Sequence, residues 1–209
     1  MTLTKRVLRP VLRLLSPVME SVVSVRGVAG MTFAGMGAGM GLAGMTFALP
    51  AWANDTACPA IFQHQMKQLH SSKTVDLCEL ASGSPVLLVN TASHCGFTDQ
   101  FGDLEKIHQQ YQSVGLVVIG VASDSFNQEA DTEKEAADVC FKNFGVTFTM
   151  LAPVSVKGKS AHPLFQQVGE AEGYPRWNFY KYLINRDGNI VDSWSSFGMP
   201  NDTAVRAVM

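Results

Sequence analysis

The 209 residues are 46% hydrophobic and 16% charged, with 16 basic against 18 acidic residues, which suits one globular domain with something added. The basic residues gather at the front, where residues 1–53 hold Lys5, Arg6, Arg9, Arg13 and Arg26 against the single acid Glu20. What remains has 11 basic and 17 acidic residues, near −6, and no basic cluster, which excludes a nucleic-acid-binding protein.

Gly27 to Leu49 carries no charge, and Ala51-Trp52-Ala53 puts small residues at the −3 and −1 positions of a cleavage site before Asn54. Basic, then apolar, then small is the order of a secretory signal. The run is also long enough to cross a bilayer, although Gly35, Gly37, Gly39, Gly41 and Gly44 dilute its hydrophobicity. The preferred expectation is a cleaved signal over 1–53 and an exported, periplasmic domain over 54–209. The alternative is an uncleaved anchor that holds the domain at the membrane, facing the periplasm.

Between Cys58 and Cys78 lie His64, His70, the turn-like Ser71-Ser72-Lys73 and the alternating Thr74–Leu77, which together predict a short hairpin. In an exported protein Cys58 and Cys78 are expected to form a structural disulfide. A Cys/His zinc site is the competing reading, but no tight C-x-x-C or H-x-x-x-H spacing supports it.

Val86–Asn90 reads as a buried strand, and the chain then turns through Thr91–His94 to Cys95. A cysteine between a buried strand and a helix start lies near unpaired N–H groups that favour thiolate. The small and polar neighbours Ser93, His94, Gly96 and Thr98 argue against full burial. Phe101, Leu104, Ile107, His108 and Tyr111 then recur at helical spacing, and Leu116–Val121 is a second buried strand, parallel to the first if the helix crosses over. Thr132–Asn143 has good helix formers, acids in its first turn and a threonine able to cap it; Cys140 lies on it. A strand through Trp177–Ile184, a hairpin turn at Asn185-Arg186-Asp187-Gly188, a return strand over Asn189–Trp194 and a last helix capped by Asn201 or Asp202 complete the chain. His162 reads as a helix-start residue rather than a ligand.

Several of these stretches together resemble the glutathione peroxidase family. Asn90–Thr98 (NTASHCGFT) is similar to its N-V-A-S-x-C-G-x-T, and Trp177–Ile184 (WNFYKYLI) to W-N-F-x-K-F-L-I/V. Phe144–Met150 (FGVTFTM) is similar to Y-G-V-T-F-P-M/I, with Thr149 for proline. Val154–Gly158 and Ala161–Val168 resemble D-V-N-G followed by P-L/V-Y/F-x-x-L. The likeness covers roughly residues 60–209. It implies an α/β, thioredoxin-like fold with a mixed central sheet flanked by helices. The activity it implies is that of a thiol peroxidase reducing hydrogen peroxide or organic hydroperoxides, with no cofactor and no metal.

The resemblance assigns roles residue by residue. Cys95 is the peroxide-attacking cysteine, and Trp177 and Asn178 turn hydrogen bonds towards its sulfur. Cys140, in register before G-V-T-F, matches the resolving cysteine of members recycled by thioredoxin; its apolar neighbours Val139 and Phe141 would equally suit a small buried helix residue. With cysteine and a resolving partner, a thioredoxin-like reductant is expected ahead of glutathione. Pro175 stands where thioredoxin-like folds often carry a cis proline. Ala122–Gln128 departs from F-P-C-N-Q-F-G-x-Q-E: anchored on Gln128 and Glu129, Ser125 replaces the glutamine that helps polarise sulfur and peroxide, and it is much shorter. Two other functions therefore stay open. One is a redox sensor or relay that oxidises a partner protein through Cys95 and Cys140. The other is a degenerate member kept for binding.

Overall fold

The structure, a computed structural model, describes residues 58–81 and 83–209; the expected signal or anchor over 1–53 lies outside the described residues. Among the described residues no helix is long and apolar enough to cross a membrane. A 3₁₀ turn over Ala60–Phe62 leads into the expected hairpin, β1 (Gln65–Lys67) against β2 (Thr74–Asp76), with Met66 opposite Val75. Helix α1 (Leu77–Ala81) follows at once, and the Asp76 carboxylate accepts the Cys78 N–H at 2.8 Å to start it. Cys58 and Cys78 are disulfide-bonded, with Cα atoms 5.6 Å apart, so the bridge staples the entry of the domain to α1. A bridged pair has no thiolate to offer a metal, which removes the zinc alternative.

Strand β3 (Val86–Thr91), helix α2 (Gln100–Tyr111) and strand β4 (Val117–Ala122) form the β–α–β unit, with β3 and β4 parallel and Val89 opposite Gly120. Every side chain of β3 is buried, as its unbroken apolar run requires of a strand covered on both faces. Helix α3 (Glu133–Ala137) begins where Thr132 Oγ1 accepts the Glu135 N–H at 3.2 Å. The expected single helix to Asn143 does not continue in α form. Asp138–Asn143 is a turn of π-helix, the wider winding that appears mostly as one-turn insertions in α-helices. Then come β5 (Thr149–Leu151), α4 (Pro163–Ala171), β6 (Lys181–Ile184), β7 (Ile190–Trp194) and α5 (Asp202–Arg206). His162 caps α4, its Nδ1 accepting the Leu164 N–H at 3.2 Å, and Asn201 caps α5 by accepting the Ala204 N–H at 2.8 Å.

The sheet runs β5-β4-β3-β6-β7, parallel through its first three strands and antiparallel at β3–β6 and β6–β7. Alternation along the strands sends side chains to two separate cores. Leu87, Val89, Val118 and Leu183 face α2, α3 and α5, where they meet Leu104, Ala137 and Val205. Val86, Leu88, Ile119 and Ile184 face α1 and α4, where they meet Leu77, Leu164 and Phe165. The result is the three-layer, mixed-sheet arrangement of a thioredoxin-like α/β fold. Gly188 closes the β6–β7 turn at φ +83°, and a Cβ there would meet Pro59 Cβ at 2.4 Å, so both backbone and space require glycine.

The strand expected from Trp177 starts only at Lys181, because the Asn90 side chain captures the chain before it. Asn90 Nδ2 donates to Trp177 O at 3.1 Å, Asn90 Oδ1 accepts the Tyr180 N–H at 3.1 Å, and Asn90 O accepts the Phe179 N–H at 2.7 Å. Phe179 is thereby held at φ +61°, a conformation rare for an aromatic residue and often found where function over-determines the backbone. No cis peptide bond occurs among the described residues, so the bond before Pro175 is trans.

Candidate active site

The loop carrying Cys95 leaves the C-terminal end of β3 and is built from its own backbone. Thr98 Oγ1 accepts the Cys95 N–H at 3.1 Å and donates to Cys95 O at 2.6 Å, while the Thr98 N–H also reaches Cys95 O at 3.0 Å. Further i to i+3 turns, Gln100 to Phe97 and Phe101 to Thr98, wind the chain into α2. The helix therefore starts five residues beyond Cys95, not at it, and Cys95 occupies the first of these turns. Its side chain is buried, at 7% exposure, between the exposed His94 and Gly96. Small neighbours do not prevent burial here, because Cys95 belongs to the packed apolar cluster that also holds Phe101 and Phe179.

Residues 128–130 brace this loop from outside. Gln128 O accepts the His94 N–H at 2.9 Å. Glu129 Oε1 accepts the Ser93 N–H at 3.1 Å and the Ala130 N–H at 2.9 Å, and it also takes the Ser93 hydroxyl. Burial raises the Glu129 carboxyl above its ordinary range, against the pull of these donors. Opposite, the Trp177-Asn178 loop is fixed to β3 by Asn90, and Ser196 Oγ donates to Asn178 O at 2.6 Å. Asn178 is fully buried; its Nδ2 donates to Gln128 Oε1 at 3.0 Å, and its Oδ1 is buried with no partner. Trp177 is 40% exposed and stacks at a tilt on Phe126, 5.3 Å between centroids, with Lys157 Nζ 4.1 Å over the other ring.

Beneath the loop, Lys181 is fully buried. It donates to Gly198 O at 2.8 Å and to Gln100 Oε1, tying β6 to the start of α2 and to the segment before α5. Burial pushes its ammonium down to about 8, against the attraction of Asp103. On the same face of the sheet, Cys140 is 1% exposed within the π turn and belongs to the same packed cluster as Cys95. Burial pushes the Cys140 thiol up to about 12, so in this conformation it is an unreactive thiol at neutral pH. Cys58 packs on the opposite core, away from both free thiols.

The expected residues thus divide. Cys95 and Cys140 share one packed cluster, Asn178 is tied to the Cys95 loop through Gln128, and Trp177 stands at the exposed edge of the Asn178 loop. Ser125 faces elsewhere: its hydroxyl accepts from Ser123 Oγ at 3.0 Å and from the Val156 N–H at 3.0 Å, and the amide reaching Asn178 comes from Gln128. Sequence reasoning did not single out Asn90, whose signal is a polar residue ending an otherwise apolar strand. Nor did it single out Ser196 or Gln100, which carry no local signal at all.

Comparison with known proteins places the chain in a family and a fold. The family profile described as Glutathione peroxidase matches residues 61–169. The chain is 40% identical over 138 residues to the glutathione peroxidase of Lactococcus lactis subsp. cremoris, covering 63% of this chain and 87% of that one. It is 41% identical over 124 residues to the glutathione peroxidase-like peroxiredoxin gpx1 of Schizosaccharomyces pombe, covering 56% and 78%. The crystal structure of Trgpx in apo form superposes with a TM-score of 0.56 at 30% identity, over 71% of this chain and 94% of that one. A thiol:disulfide interchange protein of the thioredoxin family from Chlorobium tepidum, at 14% identity and a TM-score of 0.53 over 69% and 92%, shares the fold alone. The profile spans more than half of the chain and the relatives are covered over most of their length: this chain belongs to the glutathione peroxidase family.

Proposed function

We propose that the domain reduces peroxides through Cys95 and is recycled through Cys140. The Cys95 thiolate attacks the terminal peroxide oxygen and the O–O bond breaks. The sulfur leaves the step as sulfenic acid, and the alcohol or water oxygen takes up a proton. Asn178 and Trp177 stabilise the charge that develops on sulfur and oxygen. The Cys140 thiol then condenses with the sulfenic acid, forming a disulfide and releasing water. A dithiol protein of thioredoxin type, or glutathione, reduces that disulfide in turn. The observation that carries this reading is the packing of both free thiols into one cluster, with the Asn178 loop clamped to the strand that delivers Cys95.

The second half of the cycle requires movement. A disulfide needs its two Cα atoms within about 7 Å, and Cys140 is buried in a helical turn with its thiol well above the neutral range. The π turn supports this step, since one-turn π insertions in α-helices occur frequently at functional sites. The export expectation also becomes a proposal: residues 1–53 are removed and the domain works in the periplasm. The Cys58–Cys78 bridge supports it, because such bridges persist in oxidising compartments.

The test is peroxide consumption by the parent protein with a thioredoxin-type reductant, compared with glutathione. Sustained turnover supports the peroxidase. A single oxidation that passes to a partner protein without turnover replaces it with the relay. No oxidation of Cys95 by any peroxide removes both.

A further inference from the structure

The amide of Asn178 poses a problem that its surroundings do not solve by themselves. Its Nδ2 is spent on Gln128 Oε1, and its Oδ1 is buried without a partner. A buried carbonyl oxygen left unpaired is costly, and an acceptor is the wrong end to offer an anionic sulfur. The two ends of an amide occupy nearly the same volume, so Asn178 and Gln128 have two interchangeable arrangements. In the first, Gln128 offers oxygen and Asn178 keeps its N–H inward on Gln128. In the second, both amides turn over, Gln128 Nε2 donates to Asn178 Oδ1, and the Asn178 N–H is released to the position of the orphaned oxygen. The second arrangement pairs the oxygen and makes the N–H the unpaired end, a donor free for the reaction.

Gln128 is also the residue that joins the two halves of the site. Its main-chain oxygen holds the N–H of His94, the neighbour of Cys95, while its side chain holds Asn178. Ser125 does not do this: its hydroxyl oxygen accepts from Ser123 and from the Val156 N–H, away from Asn178.

We propose that Gln128 is a positioning residue for peroxide reduction: its side-chain amide pairs with that of Asn178 and decides which end of Asn178 is presented to the reaction. The pair is a two-position unit, with the donor-out arrangement used as Cys95 attacks. This rests on the reading that Cys95 is oxidised by peroxide with Asn178 serving it, and the experiment separates the two.

The rate of sulfenic acid formation on Cys95 is measured by rapid mixing with hydrogen peroxide for the parent, Gln128→Met and Gln128→Glu. Gln128→Met keeps the length but pairs with nothing; it also leaves the buried Asn178 N–H unpaired, so its rate is read under conditions where unfolding curves show it fully folded, and there it falls by about tenfold to a hundredfold. Gln128→Glu can only accept when ionised, which locks Asn178 with its oxygen presented. When protonated it can donate again. The ratio of the Gln128→Glu rate to the parent rate therefore rises as pH is lowered from about 7 to about 4, across the carboxylate range. A purely structural loss, with each rate corrected for the folded fraction that unfolding curves give at the same pH, would leave that ratio flat. A flat ratio, or parent rates in both variants, overturns the role of Gln128 while leaving the peroxidase reading intact. A parent protein that forms no sulfenic acid overturns both.

Discussion

The loop carrying Cys95 and the helical segment carrying Cys140 pack into one cluster on one face of the sheet, but different forces hold them. The Cys95 loop is fixed by directed bonds: Thr98 on the cysteine backbone, Gln128 and Glu129 on His94 and Ser93. The Cys140 segment is held by burial of Ala136, Ala137 and Cys140 and by the exposed pairs of Asp138 with Lys134 and Lys142. Exposed ion pairs contribute little, so apolar packing is what keeps that segment in place. In the proposed cycle, directed bonds hold Cys95 in one geometry as the presented thiol, whereas apolar packing stores Cys140 in reserve until it is released.

The sharpest way to break this contrast is at the nucleophile. Cys95→Ser is expected to lower peroxide turnover by at least about a thousandfold in a protein of unchanged circular dichroism, since a hydroxyl is not an anionic nucleophile at neutral pH. Parent-level turnover in that variant would leave the presented thiol without a role. Cys140→Ser should act differently, with the first oxidation at the parent rate and turnover on a thioredoxin-type reductant reduced by about a hundredfold. Mass spectrometry after excess peroxide should then find Cys95 carrying two or three oxygens. If the variant turns over at the parent rate, the reserve thiol is only a core residue.

The next two expectations concern the scaffold that makes one side rigid. Asn90→Ala leaves the Tyr180 N–H and the Trp177 carbonyl without their partner, and should cost about 2–4 kcal/mol of unfolding free energy while freeing the Trp177 loop. Urea unfolding measures the first effect, and Trp177 fluorescence anisotropy measures the second. Opening the Cys58–Cys78 bridge, which spans a sequence separation of 20, should cost about 3 kcal/mol without changing the rate of Cys95 oxidation, because it lies on the other core. A parallel loss of oxidation rate in the reduced but folded protein would show that the two cores are coupled.

The smallest expected effect is a pH slope from Lys181. Its folded ammonium titrates near 8, below the value of 10.5 it has when solvated, so between those values the unfolded chain binds more protons. Stability therefore rises with pH through this window, by about 1 kcal/mol from pH 8 to pH 9, and the cost of the buried charge is fully present below it. Lys181→Met should abolish the slope in unfolding curves taken at those two values. A slope unchanged by the substitution would place its origin in another group.

Much of the framework around Cys95 is legible in the sequence alone. Cys95 follows an apolar run, Thr132 caps where a threonine precedes glutamates, and Cys58 and Cys78 flank a hairpin of the right length to be bridged. What misled was locality. The helix through Asn143 was read from propensities, which do not distinguish α from π winding. The strand from Trp177 was read from its apolar pattern, which cannot register that Asn90, far away in sequence, takes its backbone groups. The small neighbours of Cys95 suggest an open site, whereas its place in the apolar cluster with Phe101 and Phe179 goes with its burial.

By itself the sequence determined the alternation of strands and helices, the two-faced burial of Val86–Thr91 and the kinds of reactive atom available, because periodicity and side-chain chemistry are properties of neighbouring residues. Tertiary structure alone decided that Cys95 and Cys140 share a core, that the bridged pair lies on the other one, and that Gln128 rather than Ser125 brings an amide to Asn178. Those are relations between segments 30 to 90 residues apart. They are set by which side chains can fill the same space and satisfy the same buried polar atoms, and no local pattern encodes them.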